Sequence, residues 1–352
     1  MSQLQLMTGN EAVGEAAIRA GCRYYYGYPI TPQNELTAYM ARRMGAAGGT
    51  FIQAESEIAA INMVYGSSAA GGRAMTSSSS PGISLKQEGI SYLAGSNLPA
   101  VIVNVQRGGP GLGDIRPAQS DYWQATRGGG HGDYRTIVLA PASVQESADL
   151  VGEAFDMADM YRIPVLLLSD AQLGQMMEPL RFRKPPKRKL PAKDFALTGA
   201  VGRPKRIVRS LFLQKGVLEA ANEALRVKHR LIERREVRYA EVKVRDAEVL
   251  LVAYGSSSRA CAEAVSRLRA SGKRVGLFRP ITLWPFPSAR LAKLSERVKS
   301  ILVVEMSLGQ MVEDVRLAVE GRCPVKLLGR AGGWQPTGKQ VVRRVNGMLR
   351  RR

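Results

Sequence analysis

Gly27-Tyr28-Pro29-Ile30-Thr31-Pro32 and, one helix and one strand later, Gln53-Ala54-Glu55-Ser56-Glu57-Ile58-Ala59-Ala60 are the two segments on which the reading of this chain turns. In the first, a strand end breaks into a two-proline turn. Proline fixes φ and lacks an N–H, so neither Pro29 nor Pro32 belongs deep in regular structure. Thr31 is thereby held in a stiff elbow ahead of a helix expected from Gln33 to Met44. In the second segment, acidic residues open an alanine-rich helix after the strand Thr50-Phe51-Ile52. A carboxylate there is stabilised by the helix dipole. It also faces the region beyond the strand ends, where open α/β sheets bind ligands.

The same rhythm runs outward from these segments. Helices at Gly9–Ala20, Asn34–Met44, Glu57–Ala70 and Ile83–Ala94 alternate with apolar runs such as Pro99–Val105 and Pro164–Leu168. Apolar strands alternating with helices predict a parallel sheet covered on both faces. Three regions are expected: an α/β domain over 1–175, a basic Pro-rich linker and connecting helix over 176–245, and a smaller α/β domain over 246–352. The linker centres on Lys184-Pro185-Pro186-Lys187-Arg188-Lys189. The helix after it, Leu218 to Tyr239, carries Leu218, Ala221, Leu225, Leu231 and Ile232 broadly on one side. The α/β rhythm restarts at Glu248–Gly255.

Composition narrows the function classes. The chain has 352 residues, 45% of them hydrophobic, enough for a sizeable core. No run approaches the ~20 apolar residues of a membrane span, and Met1–Asn10 lacks the pattern of a signal peptide. Cys22, Cys261 and Cys323 form no CxxC pair, which supports neither a disulfide frame nor a cluster or metal site on this chain. A cytoplasmic location fits. The net charge is +21, and residues 181–245 hold 20 Lys or Arg against 6 Asp or Glu. Such a segment is a polyanion-binding surface or, more simply, a solvated connector and a face for an acidic partner. Sparse aromatics offer no stacking platform for bases, so a nucleic-acid-binding protein is the weaker alternative.

Four segments carry a resemblance: Gly27–Pro32, Ala54–Ala60, Arg73–Gly82 and Gln106-Arg107-Gly108-Gly109-Pro110-Gly111-Leu112-Gly113; it extends to Thr198-Gly199-Ala200, Tyr254-Gly255 and Gly309-Gln310-Met311 and so covers nearly the whole chain. Gly130-His131-Gly132-Asp133 is a fifth. In this order the chain resembles the α subunit of a 2-oxoacid:ferredoxin oxidoreductase, a thiamine-diphosphate enzyme that converts 2-oxoacids to acyl-CoA. The resemblance implies a pyrimidine-binding thiamine-diphosphate domain followed by a transketolase C-terminal-like domain. It implies that a glutamate hydrogen-bonds the aminopyrimidine ring of the cofactor. Glu57 and Glu55 both lie in the matching segment. Small residues at Ala59 and Ala60 favour Glu57.

By the same resemblance Thr31 lies near the reacting carbonyl and Arg107 holds the substrate carboxylate, a role suited to a guanidinium that never loses its charge. Gly108 lets backbone approach the substrate. Pro29, Ile30, Ser78 and Ser79 are expected on the cofactor side, although Ser79-Ser80 departs from the family's commoner Thr-Ser-Gly-Pro-Gly. The plainer alternatives are a helix N-cap for Thr31 and for the serines, and a surface strand end for Arg107. His131, in its glycine-rich loop, invites a catalytic reading, while the resemblance gives it a structural or pocket-lining role; His229 is expected to be a solvated residue of the basic helix.

The chain lacks the Gly-Asp-Gly plus Asn pattern that holds diphosphate and Mg2+, and it has no cysteine set for a [4Fe–4S] cluster. The resemblance assigns both to a β subunit that shares the thiamine diphosphate, with small ferredoxin-like γ and δ subunits as further partners, coenzyme A as co-substrate and ferredoxin as electron acceptor. The segment Thr198–Pro204 looks most like members acting on branched-chain 2-oxoacids, with 2-oxoglutarate as the close alternative. A non-catalytic scaffold subunit is the remaining reading.

Overall fold

The computed structural model describes residues 3–183 and 188–350. Lys184, Pro185, Pro186 and Lys187, the centre of the expected linker, lie outside the described residues. The larger sheet runs in the order Thr282–Trp284, Ile137–Leu139, Pro164–Asp170, Ala100–Gly108, Ala74–Ser78, Tyr24–Gly27, Thr50–Gln53. All neighbours pair in parallel except Thr282–Trp284, which runs antiparallel at the edge. Asp114–Pro117 adds an antiparallel partner at the C-terminal end of the central Ala100–Gly108 strand, opposite Arg107 and Gly108.

That central strand is buried at every residue, as its apolar start Ala100–Val103 requires in a sheet covered on both faces. Glu57–Ala69 and Ser80–Gly95 pack together, while Gly9–Arg19 packs on both Asn34–Arg43 and Val144–Tyr161. Right-handed crossovers put these two groups on opposite faces. The C-terminal ends of Tyr24–Gly27, Ala74–Ser78 and Ala100–Gly108 therefore open along one edge of the sheet, each followed by a loop.

The smaller sheet has the order Tyr239–Val242, Val275–Pro280, Val249–Val252, Ser300–Glu305, Val325–Gly329 and is parallel apart from its first strand. Its pleat divides two cores. Val249, Leu251, Leu302 and Val304 face Cys261, Val265, Val341 and Val345 in a separate cluster. Leu250, Val252, Ile301 and Val303 join the main core. The chain passes from Val275–Pro280 in the smaller sheet directly to Thr282–Trp284 in the larger one, which ties the sheets together. Asp170, fully buried, accepts from Ser256 Oγ at 2.7 Å and from its backbone N at 3.4 Å.

The basic segment differs from its expectation. Its helix runs Val217–Arg235, with only Ile232 fully buried, while Leu218 is 51% exposed. His229 is not solvated: it packs edge-on against Trp284 at 5.4 Å. Burial, then the nearby Lys228 and Arg135 charges, push its imidazole down to about 4. The helix ends at Arg235, four residues short of the expected Tyr239, where a short strand, Tyr239–Val242, begins instead.

Candidate active site

The elbow is locked from four directions. Gln33 donates its backbone N–H to Ile30 O (3.1 Å) and its Nε2 to Tyr28 O (3.4 Å). Asn10 Nδ2 donates to Pro32 O at 2.8 Å, and Arg107 Nη1 to Thr31 O at 2.9 Å. Gln33 is itself buried and held by Ser77 and Thr37 through its Oε1. The following helix starts at Asn34 with no side-chain cap at Gln33. Thr31 is therefore not its N-cap. The Thr31 hydroxyl accepts from Asn34 Nδ2 at 3.3 Å, which leaves its hydrogen free to donate. Ile30 is half-buried and Pro29 is exposed.

The two acids occupy different environments. Glu55 is exposed. Glu57 is 6% exposed at the first position of its helix, which Ser56 caps by accepting from Ala59 N at 3.2 Å. The Glu57 carboxylate lies against Gly82: a β-carbon there would stand 2.5 Å from Glu57 Oε1 and overlap Ser78 Oγ. Among the described residues the carboxylate accepts no hydrogen bond. Glu57 thus presents bare acceptor oxygens at a strand-end surface.

Arg107 is 6% exposed. Its guanidinium has five N–H donors. One goes to Thr31 O and one to Leu112 O, both at 2.9 Å. Three remain, including a buried Nε–H with no partner among the described residues. Its backbone is fixed as well, since Arg107 N donates to Ser80 Oγ at 3.0 Å and Ser80 Oγ donates to Asp121 Oδ2 at 2.6 Å. Asn104 Nδ2 donates to the same carboxylate oxygen at 2.8 Å. Burial pushes the Asp121 carboxyl up from its ordinary value, against those two hydrogen bonds. Gly113 has φ +65°, and a β-carbon there would collide with Gly108 O, so the loop under Arg107 closes only with glycine.

The turn Ser77–Gly82 joins the two halves, with Ser80 at Arg107 and Gly82 at Glu57. Ser78 and Ser79 are fully buried, and neither hydroxyl has a partner among the described residues. Ser79 occupies the N-cap position of Ser80–Gly95 without capping it. Thr76 Oγ1 and Asn104 Oδ1 are also buried without partners. Such a concentration is unusual, because buried polar atoms are normally paired. Exposed His131 makes no hydrogen bond or ring contact with Thr31, Glu57 or Arg107. Its loop packs instead on Gln87 and Ser91 through Gly129 and Gly130.

Sequence reading missed Asn10, Gln33, Ser80 and Asp121, which hold the elbow and Arg107 from behind. It also missed Lys86, a fully buried lysine on Ser80–Gly95. Among the described residues no group of three or more His, Cys, Asp or Glu is placed to hold a metal ion, and no helix is long and apolar enough to cross a membrane.

Residues 15–227 match the family described as pyruvate flavodoxin/ferredoxin oxidoreductase, thiamine diphosphate-binding. Residues 247–341 match pyruvate:ferredoxin oxidoreductase core domain II. The chain is 52% identical over 341 residues to ketoisovalerate oxidoreductase subunit VorB of Methanothermobacter marburgensis, covering 97% of each. It is 38% identical over 361 residues to 2-oxoglutarate synthase subunit KorA of Methanothermobacter thermautotrophicus, covering 95% of this chain and 96% of that one. A 2-oxoglutarate:ferredoxin oxidoreductase from Magnetococcus marinus, solved with 2-oxoglutarate, coenzyme A and succinyl-CoA bound, superposes with a TM-score of 0.90 at 28% identity. That match covers 99% of this chain and 66% of the other. A split-gene transketolase shares the fold at a TM-score of 0.61 and 16% identity.

Proposed function

Since the chain belongs to the pyruvate flavodoxin/ferredoxin oxidoreductase family, we propose that it is the α subunit of a 2-oxoacid:ferredoxin oxidoreductase acting on a branched-chain 2-oxoacid. The reaction is oxidative decarboxylation of the 2-oxoacid to acyl-CoA and CO2, with the electrons passed to ferredoxin. The observation that carries the site assignment is the pairing of a buried, bare Glu57 carboxylate with a buried Arg107 that keeps three N–H donors free, joined by one serine-rich turn. The higher identity to a ketoisovalerate oxidoreductase subunit than to 2-oxoglutarate synthase subunits supports the branched-chain substrate.

The residues fit an aminopyrimidine. Glu57 offers an acceptor for the ring N–H that the imino tautomer of an aminopyrimidine carries, the Ser78 and Ser79 hydroxyls lack partners, and Gly82 leaves the carboxylate room. Thiamine diphosphate, when bound, supplies the carbon nucleophile for the keto group. Glu57 orients and tunes the ring by accepting its N–H. Arg107 holds the 2-oxoacid carboxylate with a charge that persists at any working pH. Thr31 directs its free hydroxyl hydrogen at the oxygen where negative charge develops. Pro29 and Ile30 border the cofactor, and Gly108 lets the chain approach the substrate.

The diphosphate, Mg2+ and [4Fe–4S] sites belong to a β subunit, and coenzyme A is the co-substrate. Exposed Ile52, Ile58, Leu85 and Leu112 flank the site residues in sequence, which supports a partner closing over this surface. Co-expression with the partner tests the proposal. The complex should reduce ferredoxin with ketoisovalerate and coenzyme A and carry an iron–sulfur spectrum. The isolated chain should turn over nothing. Robust turnover by the chain alone would refute the division of labour.

A further inference from the structure

Lys86 is 0% exposed, and its Nζ has no hydrogen-bond partner among the described residues. A buried ammonium of this kind is among the costliest groups a fold can carry, and such groups are normally paired. Its location is defined by its neighbours. Gly82, Lys86 and Gly89 follow an i, i+4, i+7 spacing along one face of Ser80–Gly95. Gly82 lies on the Glu57 carboxylate and Gly89 on the Ile61 side chain. Glu57 and Ile61 are themselves i, i+4 on the facing helix. Two glycines thus bring the helices close, and the lysine between them is sealed in the seam behind Glu57. No hydrogen bond or ion pair joins the two side chains, yet the Glu57 charge supports the Lys86 ammonium against its burial.

We propose that Lys86 is a positioning residue that acts through Glu57, its buried charge balancing the Glu57 carboxylate when the aminopyrimidine covers it. This rests on the assignment of Glu57 to the cofactor. A ring closing over Glu57 strips water from the carboxylate. With Lys86 behind it, the covered site is charge-balanced. Without Lys86, a lone carboxylate must be buried, which weakens cofactor binding. Lys86 has no surface to offer a ligand, so its loss should leave the 2-oxoacid KM at saturating cofactor unchanged.

The test is a double-mutant cycle on the assembled complex, read as the Kd of thiamine diphosphate in the presence of Mg2+ by calorimetric titration. Lys86→Met keeps the slot filled and removes the charge. It should raise the Kd about tenfold or more, the size of a buried interaction of roughly 1.4 kcal/mol. In a Glu57→Gln background the same substitution should leave the Kd unchanged or lower it. Equal Kd shifts in the two backgrounds, or no shift in either, would overturn the proposal. Far-UV circular dichroism confirms the fold, and Lys86→Gln repeats the measurement with a second neutral side chain. The Glu57→Gln arm separates the two ideas. If it leaves both Kd and turnover intact, the cofactor assignment of Glu57 fails and the proposal falls with it. If it abolishes turnover while Lys86→Met changes nothing, only the role of Lys86 is refuted.

Discussion

Replacing Lys86 by Met should stabilise the protein while impairing it. The lysine's ordinary value is 10.5, and burial pushes it down to about 8 against partial support from Glu57. That difference corresponds to about 3 kcal/mol of destabilisation at neutral pH. The sign follows from proton counting. Between pH 8 and 10.5 the unfolded chain binds the proton that the folded chain has lost, so wild-type stability rises with pH across that window. Below pH 8 the cost is present in full, and above 10.5 it is gone. Urea denaturation of the full chain at several pH values reads it directly. Lys86→Met should be about 3 kcal/mol more stable than wild type at pH 7, with the gain shrinking towards zero by pH 10.5. A variant less stable than wild type at pH 7, or a gain that does not change with pH, would show that the buried ammonium carries no such cost.

The remaining expectations concern other parts of the frame. Gly82→Ala places a methyl group against Glu57 Oε1 and Ser78 Oγ; it should cost about 1–3 kcal/mol in stability and lower turnover of the complex by displacing Glu57, with normal kcat as the contrary result. Asp170→Ala leaves the buried N–H of Leu173 and the Ser256 hydroxyl without their acceptor, which should cost about 2–4 kcal/mol by thermal or urea unfolding; a loss under 0.5 kcal/mol would remove Asp170 from the tie between the two sheets. His229 has a folded-state value lowered to about 4 from 6.5, so the unfolded chain binds more protons between those values and stability falls on acidification through that window. His229→Phe should flatten that part of the stability–pH curve, and an unchanged slope would show that His229 titrates normally.

Much of the fold is legible in the sequence because its signals are redundant. Val101–Val103 and Leu166–Leu168 are apolar without interruption, as strands buried on both faces must be, and the two-proline elbow stops the chain wherever else it packs. The connector was less legible. Leu218, Ala221, Leu225 and Leu231 repeat as a buried helix face would, yet that helix lies on the surface, and periodicity does not reveal whether a partner element exists. His229 reads as solvated among Lys and Arg neighbours, but a tertiary contact with Trp284, 55 positions away, decides its environment. Within the site, the motif positions were readable and their supports were not. Asn10, Gln33 and Asp121 act through side-chain hydrogen bonds that span 17 to 44 positions and leave no local pattern. Lys86 resembles any surface lysine on a helix. The signal that could have found it is the pair of flanking glycines at 82 and 89 on the same face, which marks a close helix contact rather than a solvated one.

On the proposed reading, Glu57 and Arg107 of this chain supply the cofactor-activating and substrate-holding groups of a thiamine-dependent 2-oxoacid oxidation. The most direct measurement is the steady-state rate of ferredoxin reduction by the assembled complex with ketoisovalerate and coenzyme A, compared between wild type and Glu57→Gln at saturating thiamine diphosphate. The expected result is a fall in kcat of about 100-fold or more, the usual range for loss of a group that assists proton transfer. A Glu57→Gln complex that keeps its kcat within about threefold of wild type, a difference under 1 kcal/mol in barrier, would contradict it.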